Sequence, residues 1–255
     1  MNPPLPDVVQ IAREAGKIIL KHYQSPDLTV AHKEDQSPLT IADQESDQWI
    51  RTKLSQLTPS IPILSEESPI PPYEERKSWK KFWLVDPLDG TREFLKRNGE
   101  FTVNIALIEE GEPTLGVIFA PVPTHLYFGE KGAGAWKQVG EETPHRIFFQ
   151  KADPSQPLTV AVSRSHISPR EEAFLQRLSI RETLRIGSSL KFCLLAEGKA
   201  QVYPRNGPTM EWDVAAGDCL YRAAAKGDYV SPPFTYNKPD LRNDSFVLGM
   251  DAAGF

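Results

Sequence analysis

The sequence predicts a layered α+β enzyme fold, with α/β layering left open as the alternative, and three observations carry that prediction. Two amphipathic helical stretches open the chain. A block of β-branched and aromatic runs follows between Ile61 and Ala120, and strands then alternate with helices from Leu158 to Ala225. At 255 residues the chain is long enough to bury a substantial core, as one large domain or as two sub-domains. Its 40% hydrophobic and 25% charged residues are those of an ordinary globular protein, without internal repeats or low-complexity stretches.

From Pro6 to Tyr23 the apolar residues Val8, Ile11, Ala12, Ala15, Ile18 and Ile19 recur at helical spacing, and Pro6-Asp7 suit a first turn. A second helix spans Ile41 to Leu57, with Thr40 as N-cap and Pro59 and Pro62 beyond its end. Strands are expected at Ile61–Leu64, Phe82–Val85, Phe101–Ile108 and Leu115–Ala120, the last two forming an antiparallel hairpin around Glu110-Gly111-Glu112-Pro113. Gly129 to Gly134 reads as a β-turn, because it lacks the strand-to-helix setting of a phosphate loop. Beyond it, strand Leu158–Val162 precedes a helix from Pro169, where Ser168 and Glu171 make a capping-box pattern. Strand Leu184–Ile186, a helix from about Ser188, strand Gln201–Tyr203 and a helix from Trp212 to Ala225, closed by Gly227, complete the pattern. Residues 141–157 are the candidate boundary, dividing an α+β sub-domain at 1–150 from an α/β sub-domain at 151–255. Trp79, Trp83 and Trp212 read as packing residues.

Charge and cysteine usage exclude several classes. A net charge of −5 argues against a nucleic-acid polymer as partner, since such binding needs excess Lys and Arg. The two cysteines, Cys193 and Cys219, lie in apolar helical stretches and read as buried thiols in a reducing compartment. No signal-like N-terminal run and no apolar stretch of about 18 residues occurs, so the expectation is a cytoplasmic protein without a transmembrane segment. Oligomeric state is not legible.

The chemistry concentrates in acids at strand ends. The apolar run Phe82-Trp-Leu-Val ends in Asp86-Pro-Leu-Asp89-Gly-Thr91, and Ile61–Leu64 ends in Ser65-Glu66-Glu67. Asp213 adds a third contribution from the first turn of a helix, where the helix dipole favours a carboxylate. Like charges brought together need a cation between them. An all-oxygen set without a Cys or His cluster suits Mg2+ better than zinc. An aspartyl-nucleophile phosphatase would carry Asp-x-Asp-Gly-Thr; Asp86-Pro-Leu-Asp89-Gly-Thr91 is one residue longer, which displaces one carboxylate from that geometry. In the second half, Gly187-Ser188-Ser189 at a predicted helix start reads as an anion site, with Lys191 and Arg205 adding charge. Taken singly, His166 is equally a loop histidine, Lys191 a solvated helix residue and Arg205 a surface ion-pair partner.

Two motifs carry a resemblance. Trp83 to Thr91 meets W-x-V-D-P-[IL]-D-G-T and Trp212 to Gly217 meets W-D-x-A-A-[AG], so the chain resembles the inositol monophosphatase superfamily. Within it, Ser37-Pro-Leu-Thr40 with Asp43, Leu64-Ser-Glu-Glu67, Phe94 to Thr102, Ser163-Arg-Ser-His166 and Gly187 to Cys193 are similar to the bacterial-type 3'(2'),5'-bisphosphate nucleotidases. The fold this implies is the αβαβα layered sandwich of the sugar phosphatases, with metal binding in 1–150 and substrate recognition in 151–255. By the same resemblance Glu66, Asp86, Leu88 (through its carbonyl), Asp89 and Asp213 hold two or three Mg2+ ions. Asp43 and Thr91 orient and deprotonate the attacking water, supported by Glu66. Glu66, Leu88, Asp89, Gly90, Thr91, Ser163, His166, Gly187, Ser188, Lys191, Arg205 and Asp213 contact the substrate, a small phosphorylated nucleotide. The implied reaction is hydrolysis of adenosine 3',5'-bisphosphate to AMP and phosphate, with 3'-phosphoadenylyl sulfate as a second substrate. An inositol monophosphatase is the alternative, and a non-catalytic sensor of bisphosphorylated nucleotides a more remote one. Peripheral attachment to the cytoplasmic face of the inner membrane is the finer expectation on location.

Overall fold

Helix α1 (Leu5–Tyr23) opens the computed structural model, which describes residues 3–25, 30–32, 38–153, 155–165, 167–227 and 234–250. Its buried face carries Val8, Ile11, Ala12, Ala15 and Ile19, the stripe that the helical spacing predicts. A short antiparallel hairpin, β1 (Val30–His32) and β2 (Pro38–Thr40), leads into α2 (Ile41–Leu57). Thr40 caps α2: its hydroxyl accepts the Ala42 N–H at 3.2 Å, and Asp43 accepts the Thr40 N–H at 2.8 Å.

Next come β3 (Ile63–Ser65), α3 (Tyr73–Arg76), β4 (Lys81–Asp89), α4 (Thr91–Leu95), β5 (Thr102–Glu109), β6 (Glu112–Ala120), β7 (His125–Glu130), β8 (Gly134–Val139) and β9 (His145–Ile147). These strands form one seven-stranded sheet in chain order. β3 and β4 run parallel, and every later neighbouring pair runs antiparallel. The β5–β6 hairpin turns on Glu110 and Gly111, at φ 49° and 79°, the positive pair that a two-residue hairpin loop requires. Side chains alternate across the sheet as its pleat demands. Trp83, Val85, Val103, Ile105 and Leu107 join the core under α1 and α2, while Phe82, Leu84, Ala106 and Ile108 join the core on the opposite face.

The remaining elements are β10 (Leu158–Ser163), α5 (Pro169–Leu175), β11 (Ile180–Ile186), α6 (Leu190–Ala196), β12 (Tyr203–Arg205), β13 (Thr209–Met210), α7 (Glu211–Ala225), β14 (Arg242–Asn243) and β15 (Phe246–Leu248). β10 pairs in parallel with β11, β12 pairs antiparallel with β15 and β13 with β14, and a bridge from Val160 to Val202 brings the β10 and β12 segments together. Residues of α6 and α7 fill the core between the large sheet and this smaller one. Phe174 of α5 packs with Leu158, Val160, Val162, Val202 and Val247 in a separate cluster. The layers are therefore α1/α2, large sheet, α6/α7, smaller sheet, α5, the αβαβα order expected.

Several boundaries differ from the sequence reading. β4 continues past Val85 through Pro87 to Asp89, β11 starts at Ile180 rather than Leu184, and α6 starts at Leu190 rather than Ser188. Gln201 falls just before β12 and donates its N–H to Thr159 O at 2.9 Å. The Gly129–Gly134 turn joins β7 to β8, two strands that the sequence reading passed over along with β9. Ser168 and Glu171 form the expected capping box, and Cys193 and Cys219 are buried free thiols. Trp83 and Trp212 are buried, Trp83 donating its indole N–H to Thr58 Oγ1 at 2.9 Å. No helix among the described residues is long and apolar enough to cross a membrane.

Gly116 of β6 lets α7 lie directly on the sheet. A Cβ there would meet Ala216 O at 2.7 Å and Cys219 Cβ at 2.8 Å. Gly116→Ala should therefore destabilise the fold by about 1–3 kcal/mol through overpacking, read as a lower urea midpoint at unchanged slope; a midpoint equal to that of the native chain would contradict this close approach.

Candidate active site

Parallel pairing of β3 and β4 brings both C-terminal ends to the same sheet edge, which is how Glu66 and Asp86 come to lie together. Glu66 is held there by its N–H, which donates to Val85 O at 3.1 Å. In β4, Asp86 pairs with Asn104 but Asp89 with Thr102, so one extra residue bulges and the chain bends between the two acids. Leu88 N–H turns back to Asp86 Oδ1 at 3.1 Å. Asp213 arrives from α7, with one oxygen accepting the Met210 N–H at 2.8 Å.

One carboxylate oxygen from each of Glu66, Asp86 and Asp213 lies within 4.8 Å of the others. Asp86 is 1% exposed. Burial first, and then the charges of Glu66, Asp89 and Asp213, push the Asp86 carboxyl well above its ordinary range. Asp213 is raised in the same way, by burial and then by Asp89 and Glu66. Such an arrangement is unfavourable while the acids are charged and uncompensated, and it fits a hard divalent cation in donor type, since every donor is oxygen.

Asp89 stands slightly apart from this trio. Its Oδ2 accepts the Ser189 N–H at 2.6 Å and the Asn104 side-chain amide at 3.4 Å. Burial lifts its carboxyl to about 6, against the lowering effect of Lys191 and these hydrogen bonds. Asp43 sits behind the trio, 1% exposed, at the start of α2. Thr91 donates its hydroxyl to Asp43 Oδ1 at 3.1 Å. Burial raises the Asp43 carboxyl although Thr40 and Thr91 hydrogen-bond to it.

A cleft of about 310 Å3 opens over these groups. Glu66, Asp86, Leu88, Asp89, Gly90, Thr91 and Asp213 line it together with Ser163, Gly187, Ser188, Lys191 and Arg205. All the sequence-predicted site residues thus converge except Asp43, one hydrogen bond behind Thr91, and His166, which lies outside the described residues. Lys191 is not a solvated helix residue. It is 5% exposed, donates to Ser188 O and Ile186 O, and sits 5.5 Å from the centre of the Tyr203 ring. Burial lowers its ammonium to about 8, with Asp89 pulling the other way.

The Gly187–Ser189 segment is committed differently from the expectation of an open anion nest. Gly187 N–H donates to Glu100 Oε2 at 2.8 Å and Ser189 N–H to Asp89, so both amides already serve protein carboxylates. Ser188, at φ 48°, is the strained residue between them, and its buried hydroxyl has no hydrogen-bond partner among the described residues. Sequence reasoning missed Arg92, Glu93, Ser165 and Tyr203 in the lining. Glu93 is buried and accepts the Ser165 hydroxyl, tying α4 to the loop after β10. Its place two residues after Thr91, in a turn starting at the acidic motif, was the available signal.

The sequence model of the Inositol monophosphatase family matches residues 5–242. Over 227 residues, 89% of each chain, the protein is 51% identical to the 3'(2'),5'-bisphosphate nucleotidase CysQ of Escherichia coli strain K12. The protein of the same name from Haemophilus influenzae is 36% identical over 252 residues, covering 96% of this chain and 91% of that one. Among solved structures, CysQ from Bacteroides thetaiotaomicron superimposes with a TM-score of 0.81 at 39% identity, over 96% of both chains. An inositol monophosphatase from Anabaena shares the fold with a TM-score of 0.75 at 22% identity, over 96% of this chain and 90% of that one. A sequence match spanning nearly every element, joined to the shared five-layer architecture, establishes that this chain belongs to the inositol monophosphatase family.

Proposed function

We propose that this chain is a Mg2+-dependent phosphomonoesterase that hydrolyses adenosine 3',5'-bisphosphate to AMP and phosphate, and also removes the 3'-phosphate of 3'-phosphoadenylyl sulfate. The observation that carries this reading is one cleft in which a trio of acids is joined by a buried lysine and an arginine. The high identity to nucleotidases supports the choice of substrate.

Glu66, Asp86 and Asp213, with Asp89 and the Leu88 carbonyl, would hold the metal, assigned as two or three ions. Bound Mg2+ supplies the positive charge that phosphate oxygens and the attacking water need. The rest falls to the chain itself. Thr91 directs its hydroxyl hydrogen to Asp43 Oδ1, which leaves its oxygen lone pairs to accept a hydrogen bond from the water. Asp43, its carboxyl raised by burial, is tuned to take the proton that this relay delivers. Lys191 and Arg205 bring positive charge to a cleft otherwise rich in acids, and their partner is the second phosphate of the nucleotide. Ser163, Gly187, Ser188 and His166 complete the nucleotide contacts. The segments 1–150 and 151–255 divide metal binding from substrate recognition, with Asp213 reaching across. A cytoplasmic site of action, with contact at the inner face of the inner membrane as its finer form, belongs to the same proposal.

Phosphate release from adenosine 3',5'-bisphosphate, inositol monophosphate and fructose bisphosphate, each with and without Mg2+, tests the reading. The nucleotide should be preferred and activity should vanish with chelator; preference for inositol monophosphate would overturn the substrate, and binding without any turnover would make the chain a sensor. Asp89→Asn should lower kcat/KM by about 100-fold, and near-native turnover would refute its metal role. Stability should also depend on pH in a defined direction. Asp89 has a folded-state value of about 6, above the roughly 3.9 of an unfolded aspartate. The metal-free fold therefore loses stability as pH rises through that interval. Asp86 and Asp213, also raised, extend the loss to higher pH. Mg2+ should accordingly raise Tm more at pH 8 than at pH 5 in differential scanning fluorimetry, and an equal rise at both would count against a carboxylate site.

A further inference from the structure

Three polar residues on one face of α2 touch three different segments of the site: the start of α4, the β4 bulge, and the end of β3 with the turn after it. Asp43, Ser46 and Asp47 follow the i, i+3, i+4 spacing that puts side chains on a single helical face. All are buried, at 1%, 0% and 5% exposure. Asp43 meets Thr91 and belongs to the reacting groups already described. Ser46 donates its hydroxyl to Pro87 O at 2.9 Å, the carbonyl between Asp86 and Leu88 in the β4 bulge. Asp47 accepts the Ser65 hydroxyl on Oδ1 at 2.5 Å and the Ser68 hydroxyl on Oδ2 at 3.2 Å, and the same Oδ2 pairs with Arg51 Nε at 3.0 Å. Ser65 and Ser68 bracket Glu66, and Ser68 N–H closes the turn onto Ser65 O at 3.3 Å.

We propose that Ser46 and Asp47 are positioning residues that hold the Asp86–Leu88 bulge and the Glu66 turn in register, so that Mg2+ meets a preformed set of oxygens. A helix face is suited to this because its backbone fixes the spacing of its side chains rigidly, whereas the β4 ladder is interrupted at the bulge and β3 gives way to a turn after Ser65. Neither residue reaches the cleft. Their effect on the metal runs through the direction of Glu66 and of the Leu88 carbonyl, as outer groups orient ligands in metal sites generally. The inference rests on the reading of Glu66, Asp86 and Leu88 as Mg2+ ligands.

Calorimetric titration of the full chain with Mg2+, without substrate, tests it. Asp47→Ala should weaken Mg2+ binding about tenfold, and the Ser65→Ala/Ser68→Ala double variant should do the same. Asp47→Asn keeps an oxygen for Ser65 and offers an amide to Ser68, while the half-exposed Arg51 side chain turns to water, so it should bind Mg2+ within about twofold of the native chain. In turnover assays the loss should appear in the Mg2+ concentration for half-maximal rate and not in the substrate KM at saturating Mg2+. If Asp47→Ala fails to fold, the double serine variant carries the test. Mg2+ affinity within about twofold of native in the variants that fold, whatever happens to Tm, would reduce these contacts to ordinary packing and overturn the proposal. Asp47→Asn as weak as Asp47→Ala would also overturn it, by showing that charge and not geometry matters. Glu66→Gln is the control. Should it leave Mg2+ binding unchanged, the ligand reading itself fails and takes the proposal with it, whereas weakened binding there with native-like Asp47→Ala isolates the failure to Asp47.

Discussion

Repulsion among clustered carboxylates is the constraint on which the rest of this structure depends. Glu66, Asp86 and Asp213 bring oxygens within 4.8 Å of one another, and Asp89 stands beside them at the same sheet edge. No sequence keeps such a group together for stability, because each added charge raises the cost of the others in a region of low effective dielectric. The fold instead holds the acids rigidly from behind. A strand bulge, a parallel strand end and a long helix, each anchored in a hydrophobic layer, prevent the acids from moving apart.

Asp89 illustrates how this strain is managed. It receives the Ser189 amide, the Asn104 amide and the field of Lys191. Ser189 in turn exchanges hydroxyl hydrogen bonds with Thr102 and Asn104 of β5. One carboxylate thus fastens the start of α6 to the large sheet. The Glu100 contacts with Gly187 and Arg164 do the same a short distance away. Both sides of the cleft are stitched by acids that belong to the first half and donors that belong to the second.

Much of this was legible in the sequence, for identifiable reasons. α2 was read to the residue because Thr40, Asp43 and the following prolines are strong local signals. The acidic motifs were legible because acids stand where apolar strands stop. β11 reads short in the sequence because Arg181, Glu182 and Arg185 mask its pattern; among the described residues it pairs only with β10 and leaves those charges in water. β4 was shortened because Pro87 argues against a strand, yet proline is tolerated at the bulge. The commitment of the Gly187 and Ser189 amides could not be read at all, since it depends on Glu100 and Asp89 arriving from the other half. The same holds for Ser46 and Asp47, which look like the polar face of any surface helix until the neighbouring loops are in place.

Asp213 comes much later in the chain than Asp89, on a helix that packs directly against the large sheet through Gly116. Synthesis from the N-terminus therefore delivers Glu66, Asp86 and Asp89 well before the carboxylate that completes the cluster. Until α7 docks, the acids of the first half lack the Asp213 carboxylate, so fewer oxygens stand together than in the finished fold. A cation that needs the full set of oxygens would by mass action favour the species in which α7 lies on its sheet.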